Sequence, residues 1–255
     1  MTVDMEELTM NAWPARQTAM LGGWLLRLAE GFTKRANSVH PFYGGEESGE
    51  SLQRKIAACE AFYGRAGQDT IFKMTPFAPD SLDRALEERG YVLRDPSRVM
   101  LLTGLAALRT PASRETGIAI ECEPLLPYGW LANMCGYAGI PPQFEGSAAR
   151  IMQSITMETG YFTLYAQGVP AAFGLAVMER GYVGLYDIVT APNMRGRGYG
   201  ERLLLHMLHW ARKQGAVRSY LQVVRSNEPA NRLYEKLNYK ELYPYWYRVK
   251  PRASQ

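Results

Sequence analysis

The residues that most constrain this chain are 184–211, where a strand, a glycine-rich turn and a helix follow one another without a break. Residues 184–189, Gly-Leu-Tyr-Asp-Ile-Val, read as a buried strand with β-branched and aromatic side chains. Leu203, Leu204, Met207, Leu208 and Ala211 fall on one face at helical spacing. Between them lie Arg195, Gly196, Arg197, Gly198, Tyr199 and Gly200. The first N–H groups of a helix lack intrahelical partners, and the macrodipole favours negative charge there. Glycines allow close backbone approach, and two arginines add positive charge. The segment therefore reads as a cradle for a phosphate-bearing ligand. A P-loop is excluded because no Lys follows Gly200, and the glycines at 196, 198 and 200 do not make a dinucleotide fingerprint. The plain alternative is a surface turn with chance basic residues.

Composition sets the remaining bounds. The chain has 255 residues, 47% of them hydrophobic, with 29 basic and 25 acidic residues. That describes a folded protein of one large or two small domains. A net charge of +4 is too even to argue for nucleic acid or a membrane surface as a partner. No apolar run approaches the roughly 18 residues of a membrane span, and Met1 to Glu7 is acidic rather than signal-like. A cytoplasmic location is the default expectation. Cys59, Cys122 and Cys135 are widely spaced, which argues against a disulfide framework or a metal site.

The run Arg195-Gly196-Arg197-Gly198-Tyr199-Gly200 resembles the Arg/Gln-x-x-Gly-x-Gly/Ala pyrophosphate loop of the GNAT superfamily of N-acetyltransferases. A second segment, from Asn227 through Ala230, Leu233, Tyr234, Lys236 and Asn238 to Tyr239, is similar to that family's Asn-x-x-Ala-x-x-Leu-Tyr-x-Lys-x-Gly-Phe stretch. It departs at Asn238, where glycine is usual. Asn tolerates the left-handed backbone expected at a helix C-terminus, so the departure is mild. The resemblance covers about residues 118–250 well and 20–105 as a degenerate copy. The phrase from Gly31 to Ser38 also looks like that of tandem-type members.

The resemblance implies an α/β fold with mixed sheets, of the α+β kind. It implies tandem GNAT-like domains, each a mainly antiparallel twisted sheet flanked by helices, with a splayed strand pair in the C-terminal copy. The expected division is 1–105, a linker at 106–117, and an active domain at 118–255. In the first domain, helices are expected near 4–11, 51–66 and 79–89, and strands at 22–30, 35–40, 71–74 and 99–103. In the second, helices are expected near 128–137, 145–158, 201–211 and 229–237. Its strands are expected at 118–122, 161–166, 171–178, 183–189 and 217–224, with a final strand pair across 240–249.

Subtracting 148 from second-half numbers aligns the halves: Tyr239 falls on Tyr91, Gly215 on Gly67 and Tyr220 on Phe72. In that register Arg195 and Arg197 fall on Glu47 and Gly49, and Gly198 falls on Glu50. Asn227 falls on Pro79 and Tyr234 on Leu86. A cradle carrying glutamates repels pyrophosphate, so the first domain is expected to bind no cofactor.

By resemblance, the cosubstrate is acetyl-coenzyme A, no metal is required, and the acetyl group passes directly to a small-molecule or peptide amine. Backbone groups of Ile188, Val189 and Thr190 would hold the pantetheine arm, and those of Arg195 to Gly200 the pyrophosphate. Asn227 would contact the cofactor. Tyr234 would be the general acid for the departing thiolate; its alternative is packing beside Leu233 and Leu237. Asp187 could act as base, directly or through water, hold a cationic amine, or simply pair with an arginine. Trp24, Arg27, Lys34, Arg35, Asn37, Ser38 and the aromatic run 243–247 are weaker candidates for an acceptor wall. A monomer or homodimer fits equally. The competing function is a non-catalytic acyl-coenzyme A sensor or scaffold.

Overall fold

The computed structural model describes residues 3–43, 45, 48–108 and 116–252. In chain order the elements are α1 (Val3–Ala12), β1 (Gln17–Leu21), β2 (Trp24–Leu28), β3 (Val39–His40), α2 (Gly49–Arg65), β4 (Thr70–Met74), α3 (Asp80–Glu88) and β5 (Val92–Thr103). They continue with β6 (Ile118–Glu123), α4 (Trp130–Ala138), α5 (Glu145–Gln153), β7 (Glu158–Ala166), β8 (Val169–Glu179) and β9 (Tyr182–Thr190). The last are α6 (Tyr199–Lys213), β10 (Arg218–Val224), α7 (Glu228–Lys236) and β11 (Lys240–Lys250). Contacts divide the chain into two compact units. The first is Met1–Val99 with Val223–Asn227 and Leu242–Gln255; the second is Met100–Gln222 with Glu228–Glu241.

In the first unit the strands run β1-β2-β3-β4-β11-β5. One face carries the apolar core: Trp24, Val39 and Phe72 pack with Ile56 and Tyr63 of α2 and Leu82 and Leu86 of α3. Residues 22–30 were expected as one strand, but the chain turns at Gly22-Gly23. Both glycines have positive φ (50° and 82°), and Leu21 pairs with Trp24, so β1 and β2 form a two-residue hairpin. The expected strand at 35–40 shrinks to two residues. The Asn37 side chain takes over the local backbone, accepting from the Ala29 and Gly31 N–H groups (2.7 and 3.0 Å) and donating to the Phe32 and Thr33 carbonyls (2.7 and 2.9 Å). The expected strand pair across 240–249 is the single strand β11. It pairs antiparallel with β4, Trp246 opposite Met74 and Lys250 opposite Thr70.

The other face of β4 presents Lys73, which is fully buried and bonds Glu6 of α1 at 2.6 Å. His40 is buried too, with Nε2 3.1 Å from the Ser38 hydroxyl. Burial, followed by the charges of Arg27 and Lys73, holds its pKa well below the usual value. An unfolded His40 gains a proton below about pH 6.5 and the folded one does not. Its contribution to stability is therefore present above that pH and lost as the pH falls. The urea midpoint is expected to drop between about pH 7 and about pH 5, and to drop less in His40→Gln. Equal slopes for the two proteins would remove His40 from this account.

In the second unit the strands run β10-β9-β8-β7-β6. The pairs β6–β7, β7–β8 and β8–β9 are antiparallel, whereas β9 and β10 are parallel. The buried Leu203, Leu204, Met207, Leu208 and Ala211 place one face of α6 in the core, at the spacing read from sequence. Trp130 of α4 packs edge-on against Tyr161 and Phe173, on the opposite side of the strands from α6.

The 148-residue register holds for the helices and their ends. α3 and α7 are nine residues each, beginning at 80 and 228. Gly90 and Asn238, which follow them, have φ of 83° and 67°, so asparagine adopts the left-handed conformation expected of it. The register does not hold through the strands. Phe72 lies in the core beside α2 and α3, whereas Tyr220 meets Tyr182 and Tyr186 on the face away from α6. A slip of one residue turns every side chain of a strand to the other face. The assignment of Tyr220 to Phe72 is corrected accordingly.

Candidate active site

β9 and β10 pair from Tyr182–Arg218 through Leu185–Leu221, and the paired register ends there. Beyond that point residues 186–190 and 222–224 continue as strand without pairing to each other among the described residues. This is the expected splay.

On its other side β9 is bulged. Leu175 opposes Tyr186 and Phe173 opposes Val189, so Asp187 and Ile188 together face Gly174. Asp187 has φ of 49°, the left-handed region that one bulge type, the G1 bulge, uses at its first residue. Gly174 is needed for space, since a Cβ there would come within 2.7 Å of Ile188 Cδ1 and 2.8 Å of Met207 Sδ. The charge of Asp187 reaches the α4 side: after burial, it is what pushes Tyr161 up to about 12. Burial, then Glu145, then Asp187 push the Cys135 thiol up to about 11. That thiol is buried and protonated at neutral pH, which suits packing rather than nucleophilic attack.

Tyr186 and Tyr220 sit on the face toward α4, their hydroxyls 3.0 Å apart and their rings edge to face. Gly184 makes room for them: a Cβ on it would lie 2.5 Å from the Tyr220 hydroxyl. One residue past the last β9–β10 pair is Gln222. Both polar atoms of its amide are buried, and neither finds a hydrogen-bond partner among the described residues. No motif marks this residue; the signal is a polar amide between apolar strand positions.

The glycine turn opens α6 as expected. Gly196 and Gly198 take φ of 76° and 77°, and nothing lies within 4 Å of where a Cβ would stand on either. The helix closes its first bond from the Arg202 N–H to the Gly198 carbonyl at 3.0 Å. The N–H groups of Gly198, Tyr199 and Gly200 ahead of it have no backbone acceptor among the described residues. Arg195 and Arg197 are exposed. Glu201, whose charge would oppose an anion, is paired with Lys236 of α7 at 2.7 Å.

Tyr234 lies on α7, 8% exposed, its ring 6.0 Å from that of Tyr239. Burial pushes its phenol up to about 12. Tyr239 is held by the Ser219 hydroxyl at 2.6 Å, which fixes the floor beneath Tyr234. Asn227 lies in the turn before α7, its N–H donating to the Val224 carbonyl at 3.0 Å, and groups by contact with the first unit.

Several weaker candidates serve structure instead. Arg27 is buried and donates to the Arg35, Met10 and Trp13 carbonyls. Asn37 and Ser38 are absorbed in the loop above, Trp24 is core, Lys34 pairs with Asp95 at 2.8 Å, and Arg35 lies over the Trp13 ring. Tyr243, Tyr245 and Tyr247 are buried in the first unit. In the first unit β3, the parallel neighbour of β4, has two residues, where β9, the parallel neighbour of β10, has nine. Glu46 and Glu47 lie outside the described residues.

The family described as "Probable histone acetyltransferase Rv0428c C-terminal" matches residues 3–248. The N-acetyltransferase YobR of Bacillus subtilis, itself uncharacterised, is 30% identical over 247 residues, which is 96% of this chain and 97% of that protein. A GCN5-related N-acetyltransferase from Kribbella flavida superposes with a TM-score of 0.74 at 14% identity, over 99% of this chain and 95% of that one. A tandem GNAT protein from the clavulanic acid biosynthesis pathway gives 0.68 at 12% identity, over 99% and 89%. The chain belongs to the GNAT superfamily of N-acetyltransferases, with the tandem arrangement, and is an acyltransferase. Among the described residues no helix is long and apolar enough to cross a membrane.

Proposed function

We propose that this N-acetyltransferase takes its acetyl group from acetyl-coenzyme A and passes it directly to a primary amine, using the second unit. The observation that carries this reading is a strand bulged and splayed at Asp187, leading straight into an open glycine cradle at the start of α6.

The residues present fit the cosubstrate. Backbone N–H groups at Gly198, Tyr199 and Gly200, with Arg195 and Arg197 beside them, suit a pyrophosphate. Past Leu185, β9 has lost its β10 neighbour, so Ile188, Val189 and Thr190 can take the amide-bearing arm as an added strand. When bound, acetyl-coenzyme A supplies an activated acyl group with a thiolate leaving group.

Asp187, on the side toward α4, holds the ammonium of the acceptor and receives its proton, directly or through water, before attack. Tyr234 stays protonated at neutral pH. A phenol near 12 does not fully surrender its proton to a thiolate near roughly 8.5, so Tyr234 steadies the departing sulfur mainly as a hydrogen-bond donor. The first unit binds no cosubstrate in this reading.

Calorimetric titration with acetyl-coenzyme A is expected to show one site per chain. Arg195→Glu with Arg197→Glu is expected to weaken binding by at least about a hundredfold, two charge-assisted contacts being lost and two repulsions added. Unchanged affinity in that variant would refute the cradle, and two sites would refute the asymmetry between the units.

A further inference from the structure

Gln222 is the polar group of the splay that the proposed chemistry leaves unused. Successive strand residues alternate faces, so Gln222 shares its face with Tyr220, toward α4 and away from α6. It follows Leu221, the last β10 residue paired with β9, whose partner Leu185 stands two residues before the bulged Asp187. Tyr186 and Tyr220 satisfy each other's hydroxyls. The amide of Gln222 has no such arrangement: its nitrogen and its oxygen are both buried, and neither is hydrogen-bonded among the described residues. Burying a carboxamide with both ends unmet is costly, and native proteins keep few such groups. Placed one residue beyond the last strand pair, where the sheet opens, it is a group waiting for a partner.

A carboxamide offers one acceptor oxygen and two donor hydrogens. Its complement must accept one hydrogen bond and donate another, as the N–H and C=O of one residue in an extended peptide do, since these two point the same way. Resting on the acetyl-transfer reading above, we infer that Gln222 binds an amide of the acceptor close to the reacting amine. The acceptor class is then a peptide N terminus or an aminoacyl amide, with its ammonium at Asp187 and its first amide at Gln222. Alkylamines and polyamines lack the group that Gln222 would pair with.

The test compares acetylation of an alanyl dipeptide amide and of butylamine by wild type, Gln222→Leu and Gln222→Glu. Wild type is expected to favour the dipeptide amide in kcat/KM. Gln222→Leu should lose at least about tenfold on that substrate and stay within about twofold on butylamine. Gln222→Glu, which keeps acceptor oxygens and loses the donor, should fall between. The thermal midpoint of Gln222→Leu should equal or exceed that of wild type, because a buried unmet amide is removed; a marked fall would reveal an internal structural bond and overturn the inference. Equal losses on both acceptors, or weaker coenzyme A binding, would overturn it in favour of packing or of the cosubstrate arm. No change on either acceptor would leave the amide to buried water and overturn it as well. Activity on butylamine alone would overturn the inference and leave acetyl transfer standing. Failure to acetylate any amine would remove both.

Discussion

Tyr234→Phe is expected to lower the rate of acetyl transfer by about a hundredfold or more while leaving the affinity for acetyl-coenzyme A unchanged. The hydroxyl makes no hydrogen bond to other described residues, so its removal costs the fold little. The ring keeps its edge contact with Tyr239, which the Ser219 hydroxyl anchors. The pH profile adds a second readout. With its phenol pushed up to about 12 by burial, Tyr234 should impose no alkaline limb on the ligand-free enzyme below about pH 10. Equal turnover by the variant with a competent acceptor would return Tyr234 to a packing role and favour the binding-protein reading of the cradle.

Glu6→Ala is expected to cost about 3–5 kcal/mol of stability, a large share of the roughly 5–15 kcal/mol that holds a typical domain together. Glu6 is fully buried, bonded to Lys73 at 2.6 Å and to the Tyr243 hydroxyl at 2.7 Å. Burial depresses the Lys73 pKa, while Glu6 and its hydrogen bond oppose that shift. Without the carboxylate, an ammonium is left in a desolvated site, with the Tyr245 ring 4.6 Å away and the charges of Arg27 and Arg35 opposing it. Pairing Glu6→Ala with Lys73→Met should recover most of the loss, since buried ion pairs exchange well for apolar groups. Denaturant titration of the three proteins decides it. A loss below about 1 kcal/mol in the single variant would mean that the pair is already hydrated.

How much of this was legible in the sequence depends on whether the signal was local. The strand, turn and helix from Tyr182 to Lys213 could be read directly, because glycine spacing and helical periodicity are properties of neighbouring residues. The αL position of Asn238 was legible for the same reason. The bulge at Asp187 was not, since it exists only in the register with Gly174 and Phe173. Matching the halves located the paired helices but failed in the strands, where a one-residue slip leaves sequence spacing nearly intact and reverses the face. Arg27, Asn37 and Ser38 looked like pocket residues because polar side chains are usually exposed. Here they satisfy buried backbone: Arg27 reaches the Met10 and Trp13 carbonyls far back in the chain, whereas Asn37 and Ser38 bond carbonyls of their own loop, whose fold no motif announces. Gln222 lay in no motif, and its one mark was a polar amide between the apolar Leu221 and Val223.

The placement of β11 reaches into how the protein is made. β4 is finished early in synthesis, yet its antiparallel neighbour begins at Lys240, and Arg248 reaches Asp83 across a separation of 165 residues. The first unit therefore cannot complete its strand order while it is the only part outside the ribosome. It waits, with one edge of β4 exposed, until the second unit has been translated. Such long-range closure slows folding. A unit that comes first in the sequence is thus finished last.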